Sequence, residues 1–523
     1  MSKRKWIGTA VGLALCSVAF SACSSGDQGS SGRKSSISDP EIDRAWNSDT
    51  ERQLREAITD APANGLKPEL FLKGGEKGAA LTEAALKYAS ALANGYADPA
   101  KLHEVYTIPH PNVDVREGLK QAIQKGDVKS WLNSLVPQTD EYRALSQAHL
   151  HFLQLASRMQ FQPVTDGNSV KPGRHDPRIP QVVAALRAVG YLDAPPPNQS
   201  GSATPERQKS SSAGQSQFYS PSLVMAVKKL QGEFGFKQDG IIGGNTLDAL
   251  NAGPGYRARQ LAIAMERLRW LPRNPPTTRI DVNTAGAFLD YWRDGQHVDH
   301  RNVVVGEGDK PTPQLQAPIV RLVAKPTWTV PKGIGESELA KKSASWLQAN
   351  GFVMKGEQYV QMSGPKNSLG LVKFDMEDDE AIYLHDTPAK AMFALPDRHR
   401  SHGCVRVENA MQFATALADQ EGILDKLQTA MMKGSDSATG DDNAALMENA
   451  ASSSPPGDDR SFIKLPTPLP VRLLYQTAFW DGSQIQFRPD VYGWDDNVAK
   501  ALELAPGQPI KIPQPESGDD VGP

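Results

Sequence analysis

Up to Pro272 the apolar residues of this chain recur every three or four positions, and beyond it they recur every two. The first period is that of a helix face and the second that of a strand face, so a helical half precedes a β-rich half. At 523 residues the chain is longer than one core of roughly 100–200 residues, so the two halves divide further into folded units and linkers. The expected class is multidomain α+β: a mainly β domain with a helical insertion, a helical scaffold, and a small three-helix domain.

The first residues are set apart from that scheme. Ser2-Lys3-Arg4-Lys5 is a basic segment, and Ile7 to Phe20 is apolar but too short to span a bilayer, the pattern of an export signal. Phe20-Ser21-Ala22-Cys23-Ser24-Ser25 then resembles a bacterial lipobox with Cys23 as the lipidated residue. Phe20 departs from the usual aliphatic residue, which leaves ordinary cleavage near Ala19-Phe20-Ser21 as the alternative. Residues 1–23 are thus read as a signal and 24–40 as a Ser/Gly-rich tether. The chain is expected to be exported to the periplasm or cell envelope, with a lipid anchor to the outer membrane if Cys23 is modified.

Residues 41–175 read as the helical scaffold. Leu81, Ala85, Tyr88 and Leu92 share a helix face that Asn94-Gly95 ends, and Tyr142, Leu145, Ala148, Leu150 and Leu153 form a second stripe. The small three-helix domain spans 176–253, interrupted by a Pro/Ser/Gly/Gln-rich loop over 195–217. A connecting helix lies within 254–275, with Leu261, Met265 and Leu268 on one face. The β-rich domain occupies 276–433 and carries a helical insertion from Glu336 to Gln348. A polar, acidic insertion over 434–459 is expected to be disordered. In 460–503, Val471 to Trp480 and Ser483 to Phe487 flank Asp481-Gly482, a hairpin expected to rejoin and complete the β domain. Residues 504–523 are a tail.

A net charge of -3 with 22% charged residues gives no sign of a polyanion-binding surface, so nucleic acid is not an expected partner. Three cysteines occur, and Cys16 and Cys23 both lie in the signal region, so Cys404 has no partner for a disulfide within a folded domain. A lone cysteine is more often a small buried hydrophobe than a nucleophile. Its setting, Ser401-His402-Gly403-Cys404-Val405-Arg406-Val407-Glu408-Asn409 after Tyr383-Leu384-His385, argues otherwise. Cysteine catalysis needs a thiolate, a base, and donors aimed at the oxyanion. Cys404 offers the first, a strand ending at His385 could bring an imidazole to it, and the N–H groups of Gly403 and Cys404 are candidate oxyanion donors. Tyr383, two residues before His385, faces the same side of that strand.

A His followed after a loop by Ser-His-Gly-Cys-Val-Arg-x-x-Asn is similar to the signature of the L,D-transpeptidases, of the YkuD type. The likeness to the large periplasmic branch extends to Val303-Val304-Val305-Gly306, Lys310-Pro311-Thr312-Pro313, Trp328-Thr329-Val330-Pro331 and Gly364-Pro365-x-Asn367-x-Leu369-Gly370. Residues 176–253, through their Leu-Gln, Asp-Gly and Gly-x-x-Thr cues, resemble a peptidoglycan-binding domain. Carried over position by position, the resemblance implies Cys404 as nucleophile and His385 as base and later acid. It places His402 in the oxyanion pocket, oriented by Ser401. Arg406 and Asn409 match positions that hold the loop or the substrate's charged groups, a structural ion pair or cap being the other reading, and Tyr383 either packs on the imidazole or lines the pocket.

The implied reaction cross-links peptidoglycan through a Cys404 thioester, releasing D-alanine from a tetrapeptide donor stem. Donor and acceptor stem peptides are the implied partners, carbapenem-type compounds the implied inhibitors, and no cofactor is implied. Transfer to water by an L,D-carboxypeptidase, or to a lipoprotein amine, would use the same nucleophile. Two rivals come from other classes. His399, His402 and Cys404 could be metal ligands, although regular zinc-ligand spacing is absent. A wall-binding scaffold with a dead site is the non-enzyme reading. The remaining histidines, His103, His110, His149, His151, His175, His297 and His300, read as structural or solvent-facing.

Overall fold

The computed structural model describes residues 39–158, 160–193, 217–433, 460–507, 510 and 522. The export signal with Cys23, the tether up to residue 38, nearly all of the 195–217 loop, the 434–459 insertion and most of the tail lie outside the described residues.

The scaffold's helix Ala79–Asn94 forms as its spacing demands, with Leu81, Ala85, Tyr88 and Leu92 all buried. It stops at Gly95, whose φ of 90° suits glycine far better than any residue with a Cβ. Helix Asp140–Arg158 departs from expectation. Tyr142 and Leu145 are buried as read, but Leu150 and Leu153 are 43% and 38% exposed, and His149 takes the buried stripe instead. Positions 142, 145, 149 and 153 lie on one helix face and 150 turns away from it, so Leu153 is exposed although it keeps the face of the buried stripe. The buried imidazole is satisfied, with Nδ1 2.8 Å from the Ala258 carbonyl.

Ala258 belongs to helix Gly253–Arg269, the connecting helix, which is buried on nearly every side rather than on the single expected face. Its polar residues go inside in pairs. Glu266 and Arg269 meet at 2.5 Å with both side chains 0% exposed, and Arg267 meets Asp495 at 2.5 Å. Glu266 also accepts from Trp270 Nε1 at 3.0 Å and from the Ala97 N–H at 2.7 Å, so one carboxylate ties this helix to the scaffold. The three helices Ile179–Ala188, Pro221–Glu233 and Asn245–Asn251 make the small domain. Its core runs without a break from Tyr142 and Leu145 of the scaffold through Leu230 and Phe234 to Leu261, Ala478 and Phe487.

The strands are β1 (Arg279–Asn283), β2 (Phe288–Arg293), β3 (Gln296–Gly306), β4 (Leu315–Ala324), β5 (Trp328–Thr329), β6 (Phe352–Lys355) and β7 (Gln358–Gln361). They continue with β8 (Val372–Met376), β9 (Leu384–His385), β10 (His399–Ser401), β11 (Val405–Val407), β12 (Ser461–Leu474), β13 (Ala478–Trp480) and β14 (Ile485–Phe487). The main sheet has the order β10-β3-β11-β9-β8-β4-β12-β1-β2, and β3 also pairs with β2. The sheet therefore closes on itself through the long β3, which pairs with β2 along its first half and with β11 and β10 along its second. Helices Ala410–Gln420 and Leu424–Met432 pack Phe413, Leu417 and Leu427 into its core.

The helical insertion forms as short helices Lys332–Ser337 and Ala344–Ala349, flanked by a separate three-stranded sheet, β5-β7-β6, around a small core with Trp328, Leu339 and Phe352. One expectation for this domain is corrected. The hairpin flanking Asp481-Gly482 forms as β13 and β14, but it is a two-stranded sheet of its own. Only β12, before the hairpin, enters the main sheet, between β4 and β1. The hairpin has apolar partners elsewhere, since Ala478 and Phe487 are buried in the helical core around Phe234 and Leu261.

Candidate active site

Cys404 and His385 meet because β9 and β11 run side by side in parallel, with Leu384 opposite Val405 and His385 opposite Arg406. Leu384 and Val405 point into the sheet core. Alternation then sends Tyr383, His385, Cys404 and Arg406 together to the other face. The Val405 N–H donates to the Tyr383 carbonyl at 3.1 Å, which locks this register at the cysteine. Tyr383 and His385 make ring contact, with centroids 5.6 Å apart at 62°. The Lys373 ammonium lies 3.9 Å from the Tyr383 ring centroid.

The imidazole of His385 is 0% exposed, and its Nδ1–H donates to the Asp386 carbonyl at 2.5 Å. That bond assigns the proton to Nδ1 and leaves a lone pair on Nε2, which has no partner among the described residues. Burial holds the His385 pKa well below the ordinary imidazole value, and the nearby Arg406 charge lowers it further. Burial likewise pushes the Cys404 thiol up to about 11, with hydrogen bonding from Tyr383 partly offsetting it. Both groups are therefore neutral at pH 7, a thiol beside an uncharged imidazole rather than an ion pair. The Cys404 Sγ lies 3.9 Å from the Ala381 carbonyl and makes no hydrogen bond to Nε2 in this state.

The loop before the cysteine is held more tightly than its sequence suggests. Gly403 has a φ of +121°, so the backbone conformation demands glycine here even though an added Cβ would find room. The Ser401 hydroxyl donates to the Cys404 carbonyl at 2.6 Å and accepts the Gly403 N–H at 3.2 Å. Thr312 donates to the Gly403 carbonyl at 2.7 Å and accepts the Gly306 N–H at 2.9 Å, tying the Lys310-Pro311-Thr312 segment to the same loop. Two expectations change. The Gly403 N–H is already spent on Ser401, so of the two expected oxyanion donors only the Cys404 N–H has no partner among the described residues. His402 is not oriented by Ser401 but by Glu338, whose carboxylate lies 2.6 Å from His402 Nε2. Glu338 comes from the insertion, and nothing in its spacing marked it.

Arg406 is 1% exposed, with Nη1 3.2 Å from Met392 Sδ. Asn409 is the residue before helix Ala410–Gln420, left-handed at φ 49°, with its carbonyl held by Arg301 at 3.2 Å. Its position is that of a helix-start residue, and its side chain makes no cap hydrogen bond. Asp386 was also missed. It accepts the Leu371 N–H at 2.9 Å, pairs with Lys390, and fixes the turn after His385.

The suspected metal ligands fall into separate surroundings. His399 contacts Asp397 and the Thr284 carbonyl, both at 2.9 Å, and His402 contacts Glu338. The described residues that converge as metal ligands could are instead Asp290, His297 and His300 on β2 and β3, with the two imidazoles 2.8 and 2.7 Å from one Asp290 oxygen. Both histidines are exposed, in keeping with a structural or solvent-facing reading, and cross-strand pairing of Asp290 with His300 brings them to the carboxylate.

Residues 277–426 match the YkuD family of L,D-transpeptidase catalytic domains, residues 43–148 the Scaffold domain family, and residues 175–250 the family described as "Putative peptidoglycan binding domain". A Haemophilus influenzae protein named "Putative L,D-transpeptidase" is 29% identical over 263 residues, covering 46% of this chain and 49% of that protein. The chain thus spans about half the length of the curated relative it matches. A solved L,D-transpeptidase from Stackebrandtia nassauensis overlaps 49% of this chain and 90% of its own at 14% identity and a TM-score of 0.21. The catalytic domain of an E. faecium L,D-transpeptidase acylated by ertapenem overlaps 26% and 85% at 16% identity and a TM-score of 0.18. At TM-scores this low the overlaps do not bear on the site. Along the chain the matches thus run in the order scaffold domain, peptidoglycan-binding domain and YkuD L,D-transpeptidase catalytic domain, which are the families these segments are similar to.

Proposed function

We propose that this protein is an L,D-transpeptidase that joins peptidoglycan stem peptides through a thioester on Cys404. The observation that carries the reading is the shared face of β9 and β11, where the thiol and an imidazole with its proton held on Nδ1 stand on neighbouring strands. As the Cys404 sulfur attacks the carbonyl carbon of the third residue of a donor tetrapeptide, its proton passes to His385 Nε2. Charge gathers on the carbonyl oxygen, to which the Cys404 N–H is the available backbone donor. Collapse breaks the bond to the terminal D-alanine, whose nitrogen takes the proton from Nε2. An amine of a neighbouring stem then attacks the thioester, giving its proton to Nε2, and the released sulfur recovers that proton. A neutral pair suits this sequence, since the base must be unprotonated when the substrate arrives. His402, held by Glu338, borders the pocket as a positioning residue.

The substrate assignment is tested by product analysis on purified sacculi. New cross-links between two third-position residues, with release of D-alanine, are expected. Release of D-alanine with no new cross-link would give the acyl group to water and overturn the transpeptidase assignment. Export is proposed on the N-terminal pattern, with lipidation at Cys23. Membrane fractionation of the protein, lost on Cys23→Ala, is the expected result, and a soluble unlipidated species would contradict it.

A further inference from the structure

A cleft of 510 Å³ separates the small helical domain from the catalytic sheet. Its walls come from two places far apart in sequence. The helical side gives Phe234, Phe236, Lys237 and Asp239, and the sheet side gives Leu395, Arg398, Arg400, Arg488 and Val491. Neither family match explains a site shared by both domains.

The charge in this cleft is unbalanced. Four cations, Lys237, Arg398, Arg400 and Arg488, face two carboxylates, Asp239 and Asp397. Asp239 is turned toward its own domain, accepting the Ile241 N–H at 2.9 Å and Gln231 Nε2 at 3.1 Å, while Asp397 is engaged with His399 at 2.9 Å. No ion pair involving any of the four cations occurs among the described residues. Their hydrogen bonds go almost entirely to neutral carbonyls: Arg398 to Ala287 at 3.0 Å, Arg400 to Asp397 at 3.2 Å, and Arg488 to Glu233 at 3.0 Å. Burial lowers the pKa of Arg398 and takes that of Arg488 to about 10, with the Arg398 charge adding to the second effect. Glu408 and Asp397 near Arg398 and Asp481 near Arg488 offset burial only in part, and guanidinium groups held partly out of water without a direct ion pair favour a carboxylate ligand. Between them the wall is apolar and aromatic, the surface on which the C–H face of a sugar packs.

The cleft is also within reach of the nucleophile. Arg400 precedes Cys404 by four residues, which at most about 3.6 Å each places their Cα atoms within roughly 14 Å. An extended stem with its third carbonyl at Cys404 reaches back at most about 11 Å to its first residue, and the sugar attached there extends that reach to the distance of Arg400.

We infer that this cleft binds the sugar-proximal end of the donor stem, a carboxylate-bearing amino-sugar peptide, with its carboxylates on Lys237, Arg400 and Arg488 and its sugar face on Phe236. The inference rests on the transpeptidase reading and gives the small domain a share in selecting the donor. A stem cut from its glycan loses these contacts and must bind more weakly.

The test uses the full chain carrying Cys404→Ala, titrated calorimetrically with a soluble disaccharide-tetrapeptide and with the same tetrapeptide free of sugar. At least ten-fold tighter binding of the sugar-bearing ligand is expected. Lys237→Glu, an exposed position on the small domain, and Arg400→Glu should each collapse most of that ratio, as should Phe236→Ala. Equal affinity for the two ligands, or a ratio that survives all three substitutions, would overturn the inference. Carbapenem acylation with Cys404 intact, measured in Lys237→Glu and Phe236→Ala, keeps the two questions apart. Unchanged acylation with a lost ratio supports the cleft, whereas absence of acylation in the unsubstituted protein counts against the catalytic reading itself.

Discussion

At the residue scale, the thiol and the imidazole are shaped by burial more than by each other. With the thiol pushed up to about 11, only a small fraction is ionised at neutral pH, and that fraction rises ten-fold with each pH unit below the pKa. Alkylation of Cys404 by iodoacetamide should therefore climb about ten-fold per unit from pH 7 to 10, because His385 stays neutral throughout and adds no step of its own. A rate already at plateau by pH 8 would mean a resting thiolate and contradict this electrostatic picture. Much of the site was legible in sequence because it is local. The run from Ser401 to Asn409 and the spacing of Tyr383 and His385 need only strand alternation to be placed. Glu338 and Asp386 were not legible, since a carboxylate becomes a partner only when a distant element brings it near.

At the scale of elements, the Glu338–His402 contact joins the insertion to the loop of Cys404. If its work is to position His402, then Glu338→Ala and His402→Ala should slow acylation by similar factors, roughly ten-fold for a lost charge-assisted hydrogen bond. The double substitution should then be little worse than either single one. Multiplying effects would show that the two residues act independently. The same scale explains which elements were misread. In helix Asp140–Arg158 Leu150 was assigned inward because apolar identity was followed in place of strict angular position, and the buried residue proved to be His149, while Leu153 keeps the inward angle and is still exposed. The β13–β14 hairpin was recognised from Asp481-Gly482, but its docking partner was not, because alternation marks an inward face without saying which core receives it.

At the scale of the molecule, the scaffold and small-domain segments share one buried core with the C-terminal residues Ala478 and Phe487. The helix Gly253–Arg269 contacts scaffold, small domain and C-terminal region, and its Glu266–Arg269 pair is fully buried. Removing one partner of a buried pair leaves an uncompensated charge at a cost of about 3–5 kcal/mol. Glu266→Ala should lower the melting temperature, and calorimetry should show the scaffold and catalytic transitions moving down together. A shift confined to one of several separate transitions would mean the domains are energetically independent. For the same reason, deleting residues 179–250 would strip apolar cover from Leu261 and Phe487, so single exposed substitutions are the cleaner probe of the small domain. The change of period at Pro272 foretold the division into helical and β-rich halves. It could not foretell that the helix before it would be the common core, because polar residues paired inside a fold look, in sequence, like a solvent-facing side.

The central claim is a thioester on Cys404, formed with help from His385. Mixing the protein with a tetrapeptide donor or a carbapenem and measuring the mass of the peptide carrying Cys404 tests it most directly. The acyl mass should appear there and vanish in Cys404→Ala, and His385→Ala should slow its appearance by roughly 10²–10⁴-fold, the loss typical of a general base. An adduct that persists in Cys404→Ala, or a protein that turns over donor without ever carrying the acyl mass, would contradict the account.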